Sequence, residues 1–72
     1  MDIDLKQLEA LISHQSYKIE MAVSGTGYLP KTVIGVGTFL LDNQGDFDLL
    51  TAKQQVTFER FLLPLLETSA DD

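Results

Sequence analysis

The sequence predicts a small α+β domain: an antiparallel sheet of two or three strands flanked by N- and C-terminal helices, in the order α-β-β-(β)-α. Three patterns predict it. Leu5, Leu8, Leu11 and Ile12 recur at the three- and four-residue steps of one helix face. Tyr17, Ile19, Met21 and Val23 alternate with Lys18, Glu20 and Ala22, as in a half-buried strand. Residues 32–41 then form an apolar run rich in β-branched side chains, centred on Gly35 and Gly37.

The first helix is expected over residues 4–14. Asp4 followed by Gln7 reads as a capping box, the carboxylate accepting from a first-turn N–H that has no partner inside the helix. Ile3 is placed to act as its hydrophobic staple. Residues 17–23 follow as the first strand. "SGTGYLP", residues 24–30, carries two glycines and a proline and reads as a loop. Residues 32–41 are the second strand. "DNQGD", residues 42–46, is a turn in which Gly45 supplies a positive φ, and "DFDLL" is a short third strand.

Thr51 opens the last helix as "TAKQ", a second capping box with Gln54 in the reciprocal position. Phe58, Phe61, Leu62, Leu65 and Leu66 share its broad apolar face. Pro64 cannot donate to the Arg60 carbonyl and its ring clashes there, so a kink or stop is expected near Leu62, with Pro64 suited to start another turn. "TSADD", residues 68–72, reads as a disordered acidic tail. No repeat or linker divides the chain, and residues 1–72 are read as one domain.

Composition excludes several classes of function. Eleven acidic and five basic residues give a net charge of −6, which opposes binding to nucleic-acid phosphates and to anionic membranes. No run approaches the roughly 20 apolar residues of a membrane span. The acidic start, "MDIDLKQLEALISHQ", lacks the positive charge of a secretory signal, so a cytoplasmic location is expected. With no cysteine a disulfide cannot form, and a single histidine without thiolate ligands argues against a zinc site.

Nothing in the chain spells a catalytic site or a cofactor site. "GTG" and "GVG" do not extend to G-x-G-x-x-G. "DNQGDFD" gathers Asp42, Asp46 and Asp48, but the glycine and the terminal acid of a calcium loop are out of register, and a solvated acidic turn is expected. His14 ends the first helix, where a cation meets the negative end of the dipole. The α-β-β-β-α order is similar to that of a double-stranded RNA-binding domain. The likeness is one of topology only: the equivalent of that family's lysine-rich helix start, "TAKQQVTF", has only Lys53, so no RNA binding is implied.

Function is sought instead in surplus apolar surface. On a strand, Ile34, Val36, Thr38 and Leu40 share one face, while Val33, Gly35, Gly37, Phe39 and Leu41 share the other. Both faces are apolar, although one should meet water. Either a bulky neighbour such as Tyr17 or Phe61 lies against the glycines, or the bare strip is a contact surface for a second chain. Val56 and Leu63, seven residues apart, lie opposite the main apolar face of the last helix and call for a second neighbour too, either the first helix or a second chain. The expectation is therefore a small non-enzymatic protein-interaction or regulatory domain, without cofactor or metal. It associates as a homodimer or with a protein partner through Val33, Gly35, Gly37, Phe39, Leu41, Val56 and Leu63. Two alternatives are an acidic inhibitor that mimics nucleic acid on a basic protein, and a fragment of a larger protein that covers the strip.

Overall fold

The apolar run expected to be the central strand is a 13-residue helix, Pro30–Asp42, in the computed structural model, which describes residues 3–70 and side chains through Glu67. The chain runs through α1 (Leu5–His14), α2 (Ser16–Val23), α3 (Pro30–Asp42), a 3-10 turn (Phe47–Leu49), α4 (Ala52–Thr57), a π-helical turn (Phe58–Leu62) and α5 (Leu63–Ala70). Among the described residues there is no strand, which overturns the α+β expectation and, with it, the likeness to an RNA-binding topology. The last two residues of the expected acidic tail, 71–72, lie outside the described residues.

Both mistaken strands carry two periodicities at once. Alternation over Tyr17, Ile19, Met21 and Val23 also contains two i, i+4 pairs. Ile19 and Val23 are buried, whereas Tyr17 and Met21 stay 55% and 73% exposed. The run in α3 likewise contains Val33, Val36, Gly37 and Leu40, an i, i+3, i+4, i+7 stripe that is buried as a unit. Its β-branched residues and glycines are weak helix formers, but burial of that stripe outweighs propensity. Pro30 starts α3 at the position where a missing N–H is harmless and a fixed φ is already helical.

Local signals set the helix ends. Asp4 Oδ1 accepts from the N–H groups of Lys6 and Gln7 at 3.0 and 3.1 Å. Thr51 and Gln54 make the full capping box, with Gln54 N–H donating to Thr51 Oγ1 at 3.2 Å and Thr51 N–H donating to Gln54 Oε1 at 2.9 Å. The turn after α3 closes by a Schellman pattern: Gly45 N–H donates to Leu40 O at 2.7 Å and Gln44 N–H to Leu41 O at 3.4 Å. The left-handed position of that motif belongs to Gln44, with φ 58°, and Gly45 follows at φ 77°. The expected third strand is the 3-10 turn, with Asp46 Oδ1 accepting from Asp48 N–H at 3.2 Å.

Pro64 does not stop the last helix. The backbone stays right-handed helical at Thr57, Phe58 and Leu63, and the turn before the proline widens so that Leu63 N–H donates to Phe58 O, five residues back. Widening spreads the carbonyls that an ordinary α turn would drive into the pyrrolidine ring. The same turn places Phe58, Phe61 and Leu62 in the core.

One core draws side chains from α1, α2, α3, the π turn and α5, with Phe58, Leu8, Ile19, Leu40, Leu62 and Val33 among its fully buried side chains. The ring of Phe47 meets Phe58 edge-on at 5.6 Å between centroids. Gly37 marks the tightest approach. A Cβ there would stand 2.5 Å from Ile12 Cδ1 and 3.5 Å from Leu62 Cδ1, so the bareness of this residue admits α1 and the π turn against α3. The bulky neighbour of the glycine is thus Ile12, not Tyr17 or Phe61.

The expected interface strip is dispersed by this geometry. Val33 and Gly37 face the core, Leu41 and Leu63 are half-buried against it, and Gly35, Phe39 and Val56 are exposed. A helix separates neighbours by about 100°, so residues two apart in sequence cannot share a face as they do in a strand.

Four outcomes follow from the packing and the caps. Gly37→Val overfills the α1–α3 contact and costs about 1–3 kcal/mol by chemical denaturation. Gly37→Ala and Ile12→Val, which removes the colliding Cδ1, are coupled: the double variant is more stable than the sum of the single effects by on the order of 0.5–1 kcal/mol. Gln44→Gly relieves a left-handed non-glycine residue and stabilises by roughly 0.5–1 kcal/mol, whereas Thr51→Ala removes a cap and destabilises by about 1 kcal/mol. Urea titrations of each variant check all four values.

Candidate functional site

A groove of about 500 Å³ opens between α3 and the start of α4. Thr32, Gly35 and Phe39, spaced three and four residues apart on the outer face of α3, form one wall together with Lys31. Thr51, Lys53, Gln54 and Thr57 form the other. The buried residues Val36 and Thr57 reach it from the core side, and Tyr28 also lines it.

Each wall is held by identifiable contacts. Thr57 is buried, and its hydroxyl donates to the Lys53 carbonyl at 2.9 Å, which leaves the methyl group for packing. Tyr28 is fixed from both ends. Its N–H donates to Thr26 Oγ1 at 3.2 Å while the Thr26 hydroxyl donates to Val23 O at 2.6 Å. Its ring lies 4.7 Å from that of Phe61, and the Arg60 guanidinium sits 5.6 Å over Tyr28 and 5.2 Å over Phe61. Gln54 is held at the capping box, so that wall begins at a well-defined helix end.

Charge is segregated toward this face. Three of the five basic residues, Lys31, Lys53 and Arg60, line the groove or stack on its Tyr28. No aspartate or glutamate is among the lining residues, although the chain has eleven. Neither lysine forms an ion pair among the described residues. A shallower depression of about 400 Å³ shares Tyr28, Thr32 and Lys53 and continues over Thr26 and Leu29. Leu29 precedes α3 without a side-chain cap, so the positive end of that helix dipole adds to the same sign of potential.

Gly35 is the residue with no internal explanation. It is exposed, and apart from its chain neighbours and its own helix backbone no heavy atom lies within 4 Å of the position a Cβ would take. Unlike Gly25, Gly27 and Gly45, it does not have a positive φ, and unlike Gly37 it meets no neighbouring helix. A glycine in a helix interior costs about 1 kcal/mol relative to alanine. Here that cost keeps the α3 backbone bare at the groove.

Of the seven residues expected to form an interface, Gly35 and Phe39 line this groove; Val33, Gly37, Leu41, Val56 and Leu63 do not. Tyr28, Lys31, Thr32, Lys53 and Thr57 escaped the sequence reading. Tyr28, Lys31, Thr32, Gly35 and Phe39 lie at helical steps, a signal hidden when the segment is taken as a strand. Lys53 and Thr57 belong to a different helix, and no local pattern links them to α3. The acidic turn is separate: Asp46 is engaged by Asp48 N–H, and no group of three or more metal-ligating side chains occurs among the described residues.

The groove lining offers two ammonium groups, hydroxyls and an apolar floor, without a carboxylate, thiol or imidazole. The chain matches no protein-family model, no curated protein and no solved structure. Among the described residues, no helix is long and apolar enough to cross a membrane.

Because the space at Gly35 is open, Gly35→Ala gains helix propensity without a clash. It stabilises the domain by about 1 kcal/mol, which for a chain of this size raises the Tm by roughly 4–8 °C. Thermal melting followed by circular dichroism checks the shift, with Gly37→Val as the overpacked contrast.

Proposed function

We propose that this chain is a non-enzymatic protein-interaction domain that holds a short segment of a partner protein in the groove between α3 and α4. The observation that carries this reading is Gly35: a helical glycine, destabilising in isolation, with open space above it and the aromatic side chains of Tyr28 and Phe39 lining the same groove. A bare backbone of this kind lets another chain approach more closely than any side chain would allow. Lys31 and Phe39 are two helical turns apart, roughly 12 Å, so the groove admits a short segment and not a whole domain.

The net charge of −6 argues against nucleic acid as the occupant. Groove-to-groove pairing of two identical copies is disfavoured as well, because a two-fold axis would set Lys31 and Lys53 of each copy against those of the other. Interaction therefore replaces the expected self-association as the favoured reading, and it moves from the apolar strip to this groove.

The test is a selection of random peptides displayed on phage against the immobilised wild-type chain, with every recovered binder re-measured on Gly35→Trp. The indole fills the groove, while the exposed, open position leaves the fold intact, as a melting curve verifies. Binders lost on Gly35→Trp are expected. Recovery only of binders indifferent to that substitution refutes the groove as the interaction site.

A further inference from the structure

Resting on the interaction reading above, we infer that the groove's occupant is an acidic peptide segment of another protein, with carboxylates flanking one large apolar side chain. The apolar requirement comes from the lining. The rings of Tyr28 and Phe39 and the buried Val36 surround the bare backbone of Gly35, leaving room for a bulky side chain but supplying no intramolecular one. Burying such a side chain anchors a short segment but is too little to hold it alone.

The acidic requirement comes from charge. Lys31 stands on the α3 wall and Lys53 on the α4 wall, so an occupant lying between the helices meets an ammonium group from each side. No lining residue is acidic, so a basic segment would bring like charge to both lysines with nothing to answer it. Screening at physiological ionic strength acts over about 8 Å, so an occupant lying between the two lysines feels their charge more strongly than that of acidic residues farther away. The net charge of −6 then becomes a specificity device: an acidic segment is repelled from the remaining surface and accepted only where positive charge is concentrated.

Arg60 supports the anchor pocket and takes no direct part in pairing. Its guanidinium lies over the rings of Tyr28 and Phe61, holding the tyrosine ring against Phe61 of the π turn.

The experiment uses the intact chain and three fluorescein-labelled probe peptides: a glutamate-rich octapeptide with one central phenylalanine, the same peptide with alanine at the centre, and the same peptide with lysine for every glutamate. Fluorescence anisotropy reads binding to wild type, to Gly35→Trp and to the Lys31→Glu/Lys53→Glu double variant, at low and high salt. The phenylalanine–glutamate probe is expected to bind wild type and to be lost on Gly35→Trp. It weakens about tenfold on the double variant and also as salt rises. The alanine and lysine probes bind at least about tenfold more weakly. Equal or tighter binding of the lysine probe overturns the inference, as does indifference of the glutamate probe to the double variant. The peptides recovered by phage selection separate the two levels. Groove-dependent binders that are neutral or basic sink the acidic assignment and leave the interaction reading standing; no groove-dependent binder sinks both. A sedimentation mass that doubles for wild type, but not for Gly35→Trp, makes a second copy the occupant and likewise overturns the inference.

Discussion

The close approach of α1 to α3 at Gly37 is the constraint on which the rest of the structure depends. Ile12 fills the space that a side chain at that position would occupy, and Leu62 from the π turn reaches the same point. Three elements distant in sequence thus meet at one bare backbone position. A small chain has little apolar area to spare, and bringing helices together there makes the α1 stripe, the α3 stripe and the aromatic cluster of the last helix one core. Dispersion contacts fall off steeply with separation, so a tight crossing is worth more than the propensity lost by placing a glycine in a helix.

The last helix is shaped by a second constraint, Pro64. An ordinary α turn would end near Leu62 and leave residues 63–70 without a direction. The π turn absorbs the missing donor and the ring, and it carries the helix onward, so Leu66 reaches the core while Thr51 to Thr57 lie along α3. The groove is a consequence of this arrangement. α3 packs its Val33, Val36, Gly37 and Leu40 stripe inward, which leaves Thr32, Gly35 and Phe39 on the outer face where α4 passes.

The two glycines of α3 therefore serve opposite ends. Gly37 is bare so that the protein can pack against itself, and Gly35 is bare with nothing of the protein against it. That difference, together with lysines drawn from both walls of the groove in an otherwise acidic chain, distinguishes this face from the other exposed apolar positions. Met21 and Val56, for example, are exposed without lining it, and isolated apolar residues on a surface are ordinary.

What the sequence by itself determined is local. The Asp4 cap, the Thr51–Gln54 box, the positive φ at Gly45 and the helix carrying Leu8 and Leu11 were all legible, because each depends on residues within a turn of one another. The states of residues 16–23 and 30–42 were not, since alternation over so few residues satisfies a strand and also contains i, i+4 pairs that satisfy a helix. Only tertiary structure decided between them, by burying Ile19 with Val23 and Val33 with Val36, Gly37 and Leu40 while Tyr17, Met21 and Gly35 stayed in solvent. The groove was decided at the same level. Gly35 and Lys31 meet Lys53 and Thr57 across it because two helices pack side by side, and packing is a property of faces that the order of residues along one segment does not specify.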